Sequence, residues 1–223
     1  MIRAEFRKLS TARSTWLLLG IAQLVVIGGV SGLLQKRDDP RGAVAHVGLV
    51  ALFSLLLGIL TTAGEYRHRT ITDTFLAVPH RGRVMAAKLV AGTAGGLVFG
   101  LVASLTALVT TVLWGAQLSA GVWRTVAGGI GWNVLFAALG VGLGALITNL
   151  MAAVTAALAW LALVEGIVAQ LIGDAGKWLP FALGTSLEGR GGPAPWSAAL
   201  ALTAYAVAFA AVGTAATLRR DIT

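Results

Sequence analysis

Six long apolar runs constrain this chain more than any other feature of its sequence. Each is close to the roughly 20 helical residues that cross about 30 Å of hydrocarbon, and only the fifth contains a charged residue. None shows the alternation of period two that is typical of membrane strands. We therefore expect an all-α integral membrane protein. Its six transmembrane helices are predicted at residues 16–34, 43–63, 89–114, 126–148, 151–172 and 198–218.

The composition supports a single transmembrane domain over residues 1–223. Hydrophobic residues make up 57% of the chain and charged residues 12%, whereas soluble domains carry about 25% charged residues. The lack of cysteine excludes disulfides and thiolate metal sites, and the three histidines form no metal-binding motif. Because the net charge of +8 falls in the loops of a membrane protein, it does not indicate a nucleic-acid-binding surface.

The distribution of Lys and Arg predicts the orientation of the chain in the membrane. Eleven of the 17 lie on the side that holds both termini and the loop at residues 64–88, and six lie on the other side. Positively charged loops remain in the cytoplasm. We therefore expect both termini and this loop to be cytoplasmic, in a multi-pass protein of the plasma (inner) membrane.

The first fifteen residues have the pattern of an amphipathic helix. Ile2, Phe6 and Leu9 are spaced to share one helical face, while Arg3 and Arg7 lie around the other. Such a helix would lie along the inner leaflet as an interfacial helix. The alternative is a disordered basic tail that only determines topology.

The loop at residues 64–88 combines five cationic residues with apolar ones. Glu65 and Arg69 form an i, i+4 pair that favours a short helix. Within that helix Ile71, Phe75 and Leu76 would form an apolar edge. A proline at position 79 ends the helix, and a lysine at position 88 could extend to lipid phosphates at the next span. Since about 4 to 8 residues suffice to connect two helices, the length of this loop indicates a docking surface. The alternative is a solvated loop that determines topology.

Three segments of the sequence resemble one known family. The loop "EYRHRTITDTFLAVPHRGRVMAAKL" is similar to the loop after the second span of ABC type-2 transporter permeases, particularly the actinobacterial ones. "ALGVGLGALITNLMAAVTAALAWLALVEGIVAQLIGDAGKWLPFAL" is similar to their fourth and fifth spans and the following loop, and "EFRKL" resembles their N-terminal segment. The resemblance covers nearly the whole chain. It departs at Thr148, Asn149 and Leu150, where the family often has a basic residue.

The resemblance implies a permease subunit that pairs with separate ATPase subunits. The chain has no phosphate-binding G-x-x-x-x-G-K-[ST] motif, so the resemblance implies no bound cofactor and no enzymatic activity of its own. ATP and magnesium would be bound by two copies of a partner ATPase. A second permease copy, identical or different, would complete an exporter of an amphiphilic drug, peptide antibiotic or lipid. The coupling loop would contact the ATPase through Glu65, Tyr66, Arg67, Arg69, Thr70, Ile71, Phe75, Leu76, Pro79, Arg81 and Lys88.

Polar residues inside the spans are the other candidates for function. Glu165 is a carboxylate at membrane depth and is expected to line the translocation path or a dimer interface, unless it lies at a helix end marked by Gly166. Asn133 and Gln170 are expected to line the same translocation path or dimer interface and to hydrogen-bond across helices. The resemblance also implies that the outer loop at residues 173–197 is re-entrant.

Two other functions are compatible with the same sequence. The chain could be a membrane anchor or regulatory subunit that moves no cargo. It could also be an intramembrane enzyme that acts on lipid, in which case Glu165 is the available base at membrane depth.

Overall fold

A computed structural model describes residues 1–36, 39–68, 70–78 and 80–219 of the chain. Over these ranges the chain forms helices joined by short turns, and no strand occurs in them. The α-helices are α1 (Ile2–Thr11), α2 (Arg13–Gln35), α3 (Pro40–Val44), α4 (His46–Leu49), α5 (Ala51–Arg67), α6 (Ile71–Ala77), α7 (Arg81–Leu113), α8 (Ala120–Leu146), α9 (Leu150–Ala159), α10 (Ala169–Leu171), α11 (Pro180–Leu187) and α12 (Pro195–Arg219). A π-helix (Trp160–Val168) lies between α9 and α10, and a 3-10 helix (Gly173–Trp178) precedes α11.

The prediction of an all-helical fold with six spans is confirmed. Within the described ranges, six stretches are long and apolar enough to cross a membrane. The chain is therefore a multi-pass membrane protein. The spans are Arg13–Gln35, Pro40–Arg67, Arg81–Leu113, Ala120–Leu146, Leu150–Leu171 and Pro195–Arg219.

The third span begins earlier than the sequence predicts. The expected start was residue 89, but α7 begins at Arg81 and carries Lys88 inside the helix. Lys88 is completely buried, so the helix continues through a residue that hydropathy would place at the membrane surface. The second span also begins earlier, at Pro40, where the Asp39 side chain accepts a hydrogen bond from the Arg41 amide and caps the helix.

The second and fourth spans form the centre of the bundle. In the most apolar part of each, 67% and 61% of the residues are buried, against 12% in the fifth span. Glycine allows close approach at this contact: a methyl group on Gly140 would collide with the Leu55 carbonyl, and one on Gly58 with the Ala137 carbonyl. Thus α5 and α8 pack backbone against backbone, and the first, fifth and sixth spans lie at the periphery.

Asn133 of α8 connects these central helices by hydrogen bonds. The Ser54 hydroxyl donates to its Oδ1 at 2.6 Å, and its Nδ2 donates to the Val47 and Gly129 carbonyls at 3.0 and 2.8 Å. The expectation that Asn133 bonds across helices is confirmed. Its side chain is fully buried within the chain, and a role in the translocation path stays a prediction.

Two clusters of polar residues mark opposite ends of the bundle. At one end, α1 and α6 lie beside the end of α5 and the start of α7. At the other end, α3, α4 and the start of α8 meet the segment after α11. The outer loop folds as the 3-10 helix and α11, and α11 packs against α12 and α8. Whether this loop re-enters the membrane stays a prediction.

Candidate functional site

Four charged side chains from three helices meet beside the loop that joins the second and third spans. Glu5 and Lys8 come from α1, Glu65 from the last turn of α5, and Lys88 from α7. Lys8 Nζ lies 3.0 Å from Glu5 Oε1 and 2.6 Å from Glu65 Oε1. Lys88 Nζ lies 3.0 Å from Glu5 Oε2 and 2.7 Å from Glu65 Oε1. We call these four residues the ion-pair network.

Lys88 is the most deeply buried member of the ion-pair network. Its ammonium group contacts the carboxylates of Glu5 and Glu65 and also donates to the Thr61 carbonyl at 3.0 Å. These contacts use all three donors of a lysine ammonium. Lys88 therefore does not extend to lipid phosphates as the sequence suggested, because two carboxylates lie closer and neutralise it.

Lys8 completes the ion-pair network at its exposed edge. Burial lowers the pKa of Lys8, but hydrogen bonds and charge from Glu65 and Glu5 outweigh this effect, so the pKa lies above its ordinary value. With two cations and two anions, the four side chains sum to zero charge. This balance makes it possible to bury Glu5, Glu65 and Lys88 together.

The ion-pair network also reaches α6. Thr74 of α6 donates to Glu65 Oε2 at 3.4 Å, at the weak limit of a hydrogen bond. Glu65 therefore contacts α1, α6 and α7 at once. A movement of the loop would act directly on the N-terminal helix and on the third span.

The apolar residues of α6 divide between two faces. Ile71 and Phe75 are buried, whereas 76% of Leu76 is exposed. Residues four apart share a helical face, and the next residue lies about 100° further round. Ile71 and Phe75 pack against Tyr66, Val78 and Val84. The three residues therefore do not form the single apolar edge that the sequence predicts. Ile71 and Phe75 point inward and hold α6 in place, whereas Leu76 points outward.

The remaining predicted coupling residues surround α6. Arg67 and Thr70 are exposed, while Arg69 and Pro79 lie outside the described residues. The Arg81 guanidinium lies 5.3 Å from the centre of the Phe75 ring and donates to the Thr217 carbonyl at 3.1 Å. Arg81 therefore connects α6 to the end of α12. The docking role of all these residues stays a prediction.

The predicted interfacial residues of α1 differ in how much of each side chain is exposed. Ile2 and Phe6 are 46% and 41% exposed, whereas Leu9 is half-buried and packs against the core. Glu5 lies on the buried side of the helix. Sequence reasoning missed Glu5, although an acid inside an apolar and basic segment, three residues before Lys8, was a visible signal.

A second buried carboxylate lies at the opposite end of the bundle. Glu188 is 1% exposed, and its Oε1 accepts from the Gly48 amide at 3.1 Å while Oε2 accepts from Arg190 at 3.3 Å. Thr125 donates to the Glu188 carbonyl, and Arg41 donates to Thr125 and to the Gly189 carbonyl. The sequence alone did not single out Glu188 as a candidate residue.

We expect the stability of the protein to fall as pH rises, because of Glu188. Burial raises the pKa of Glu188 to about 8, although Arg190 and the Gly48 amide oppose the shift. Between its ordinary pKa and about 8, the folded protein binds more protons than the unfolded chain. The free energy of unfolding then falls with pH by up to about 1.4 kcal/mol per unit, and levels off above that range.

Unfolding of the purified protein at several pH values between 5 and 8 measures this slope. Glu188→Gln is expected to remove most of it. The control is Asp174→Asn, because Lys177 lowers the pKa of the exposed Asp174 carboxyl and its titration falls below this range. An unchanged slope in Glu188→Gln would contradict the assignment.

Glu165 of the π-helix caps the start of α11. Its Oε2 accepts from the Phe181 and Ala182 amides at 2.7 and 3.3 Å, at the start of α11, and its Oε1 accepts from Trp160 Nε1 at 3.2 Å. It also lines a cavity of about 270 Å³. Gln170 instead donates to the Gly166 carbonyl of its own segment. The predicted roles of Glu165 and Gln170 in transport stay predictions.

A scan against protein-family models finds no match for this chain, and a search of curated proteins finds none either. In the part of the chain that the structure describes, no group of three or more His, Cys, Asp or Glu could hold a metal ion.

Proposed function

We propose that this chain is the permease subunit of an ATP-driven exporter and that separate ATPase subunits dock on α6. Two copies of the ATPase and a second permease would complete the assembly, with ATP and magnesium bound by the ATPases. The sequence resemblance supports the family, the amphiphilic cargo and the outward direction of transport. Under this proposal the protein lies in the plasma (inner) membrane, and the ion-pair network is on its cytoplasmic side.

The ion-pair network is the observation that carries this proposal. A loop that only determines topology requires exposed cations. It does not require a buried lysine such as Lys88, whose three N–H donors all have partners. Burial of such charges is tolerated only when every partner is in place. The network therefore supports a loop whose position relative to the membrane helices matters for function, as coupling to an ATPase requires.

The exposed side of α6 is the proposed contact with the ATPase. Leu76, Thr72 and Asp73 are all exposed on this helix, and Arg67 is exposed just before it. Ile71 and Phe75 would support the contact from behind, since they attach α6 to the protein. In the same arrangement, the exposed Ile2 and Phe6 of α1 would lie in the inner leaflet as an interfacial helix.

Purification of the crosslinked complex tests the proposed function. The tagged chain is extracted in mild detergent from cells of its own species, and co-purifying proteins are identified by mass spectrometry. We expect a stoichiometric ATPase with a phosphate-binding loop. Recovery of the chain without any nucleotide-binding protein would reject the exporter proposal.

The variant Leu76→Ala tests the docking surface without disturbing the core. Full burial of a leucine contributes about 1.5–3 kcal/mol, so truncation is expected to weaken ATPase binding about tenfold, or about 1.4 kcal/mol. Titration of the purified ATPase measures the effect. Leu113→Ala is the matched control, because Leu113 is 81% exposed at the far end of α7. Equal binding by both variants would exclude Leu76 from the contact.

A further inference from the structure

We infer that the cavity between the fifth span and the centre of the bundle binds a hydrophobic organic cation, with its ammonium group facing Glu165. This inference deepens the proposed function by naming the chemical class of the cargo. The statement that the ligand is transported rests on the proposed function. The statement that it binds does not, because binding can be measured on this chain alone.

The cavity has the size and lining of a small-molecule site. Its volume is about 270 Å³, and residues from the second, fourth, fifth and sixth spans line it together with Pro180. Four aromatic side chains surround it: Phe136, Trp160, Tyr205 and Phe209. Glu165 is the charged residue of the lining, and the remaining residues are leucines, alanines and Pro180. Mostly apolar cavities with one well-placed charge are typical of ligand sites.

The π-helix brings the carboxylate and an aromatic ring to the same side of the fifth span. Residues five apart on a regular α-helix point about 140° away from each other. In the π-helix Trp160–Val168 the backbone winds more widely, and Trp160 Nε1 reaches Glu165 Oε1 at 3.2 Å. Short π-helical segments within α-helices often lie at functional sites. This segment places Trp160 and Glu165 together on the cavity wall.

The charge of Glu165 has no cationic partner among the described side chains. Its three partners, Trp160 Nε1 and the Phe181 and Ala182 amides, are neutral N–H donors. A carboxylate offers about four acceptor sites and only accepts when it is ionised, so this set of donors favours the ionised form and leaves one acceptor site open. The cavity therefore presents a carboxyl group that no described cationic side chain neutralises, and a ligand cation would stabilise its ionised form.

These features together select one class of ligand. An ammonium group is attracted both to a carboxylate and to the faces of aromatic rings, and Trp gives the strongest such contact. The apolar walls accept the hydrophobic body of the same molecule. An anionic ligand would be repelled by Glu165, and a neutral ligand of equal shape would gain nothing from it.

Binding of a matched pair of probes tests the inference. The cation is (1-naphthylmethyl)trimethylammonium, and the neutral probe is its carbon isostere, in which a carbon replaces the nitrogen. Equilibrium dialysis against the full chain in zwitterionic lipid nanodiscs gives both affinities, with protein-free nanodiscs subtracted. We expect saturable binding of the cation, at least about tenfold tighter than that of the isostere.

Variants then locate the site. Glu165→Gln is expected to weaken cation binding about tenfold and to leave the isostere unaffected, since glutamine keeps an acceptor for the Phe181 amide. Trp160→Phe is expected to give a smaller loss for the cation. Asp174→Asn is the control, because Asp174 is an acid near the same span that does not line the cavity. It should bind both probes like the original chain.

Three results would overturn the inference: no saturable binding of the cation, equal affinity for both probes, or a cation affinity that Glu165→Gln does not change. The comparison of the two probes uses the unaltered chain, so it remains decisive even if a variant folds poorly. Failure of this test leaves the co-purification test of the exporter untouched. Conversely, Glu165-dependent binding without an ATPase partner would make the cavity a cation site in a protein with another role.

Discussion

Replacement of Lys88 by methionine is expected to lower the free energy of unfolding by about 3–5 kcal/mol, the cost of removing one partner of a buried ion pair. The variant would leave the carboxylates of Glu5 and Glu65 with Lys8 as their one cation in the network, and therefore with one buried negative charge uncompensated. Unfolding by titration with sodium dodecyl sulfate in mixed micelles measures this loss. Hydrogen exchange should also show that α1 loses protection, because Lys88 holds it through Glu5.

Lys8→Met is the control for this experiment. Lys8 contacts the same two carboxylates, but 47% of its side chain is exposed. Exposed pairs contribute about 0–1 kcal/mol, so the loss should be much smaller than for Lys88→Met. Addition of Glu5→Gln to Lys88→Met should restore part of the stability, because Lys8 then neutralises the one carboxylate that remains, that of Glu65. Similar losses for Lys88→Met and Lys8→Met would show that the network is not buried as described.

Substitution of Gly140 by alanine is expected to separate the two central spans. The added methyl group would collide with the Leu55 carbonyl and would lie 3.0 Å from the Gly58 Cα. Because backbone atoms cannot yield as a flexible side chain does, the helices must move apart. Overpacking of this kind costs about 1–3 kcal/mol, and the hydrogen bond between Ser54 and Asn133 lies at the same contact. Unfolding in mixed micelles again measures the loss.

Gly131→Ala is the matched control because it lies on the same helix. A methyl group at Gly131 meets no atom within 4 Å, and alanine favours the helix by about 0.5–1 kcal/mol relative to glycine. This variant should therefore be as stable as the original chain or slightly more stable. If Gly131→Ala and Gly140→Ala behaved alike, the close approach of α5 and α8 would be refuted.

The spans could be predicted from the sequence, whereas the ion-pair network could not. The hydropathy of a segment depends only on its own residues, so runs of apolar residues indicate the membrane-spanning helices directly. Glu5 and Lys88 are separated by 83 positions, and their contact depends on how α1 packs against α7. For the same reason, hydropathy set the start of the third span too late: it treats a lysine as a surface residue unless its partners are known.

The candidate site could likewise be predicted from the sequence only in part. The sequence predicts a short helix that begins near Glu65, but α5 continues to Arg67 and the short helix α6 begins at Ile71. Only packing reveals that Ile71 and Phe75 point inward while Leu76 points outward. Glu165 stands out in the sequence as a charge at membrane depth. Its contact with the Phe181 amide, 16 positions later, depends on how the chain folds between the π-helix and α11. Neither its capping role nor the cavity beside it could therefore be inferred.

The ion-pair network also has a consequence for biogenesis. The ribosome makes Glu5 and Glu65 before Lys88, so both neutralising carboxylates are already at the membrane when the third span emerges. A lysine at the centre of a span costs about 2.5–3.5 kcal/mol on insertion scales, which is an upper bound for Lys88 near the start of α7. We therefore expect pairing with Glu5 to favour integration of the third span, so that a substitution of Glu5 would reduce membrane insertion of a helix made much later.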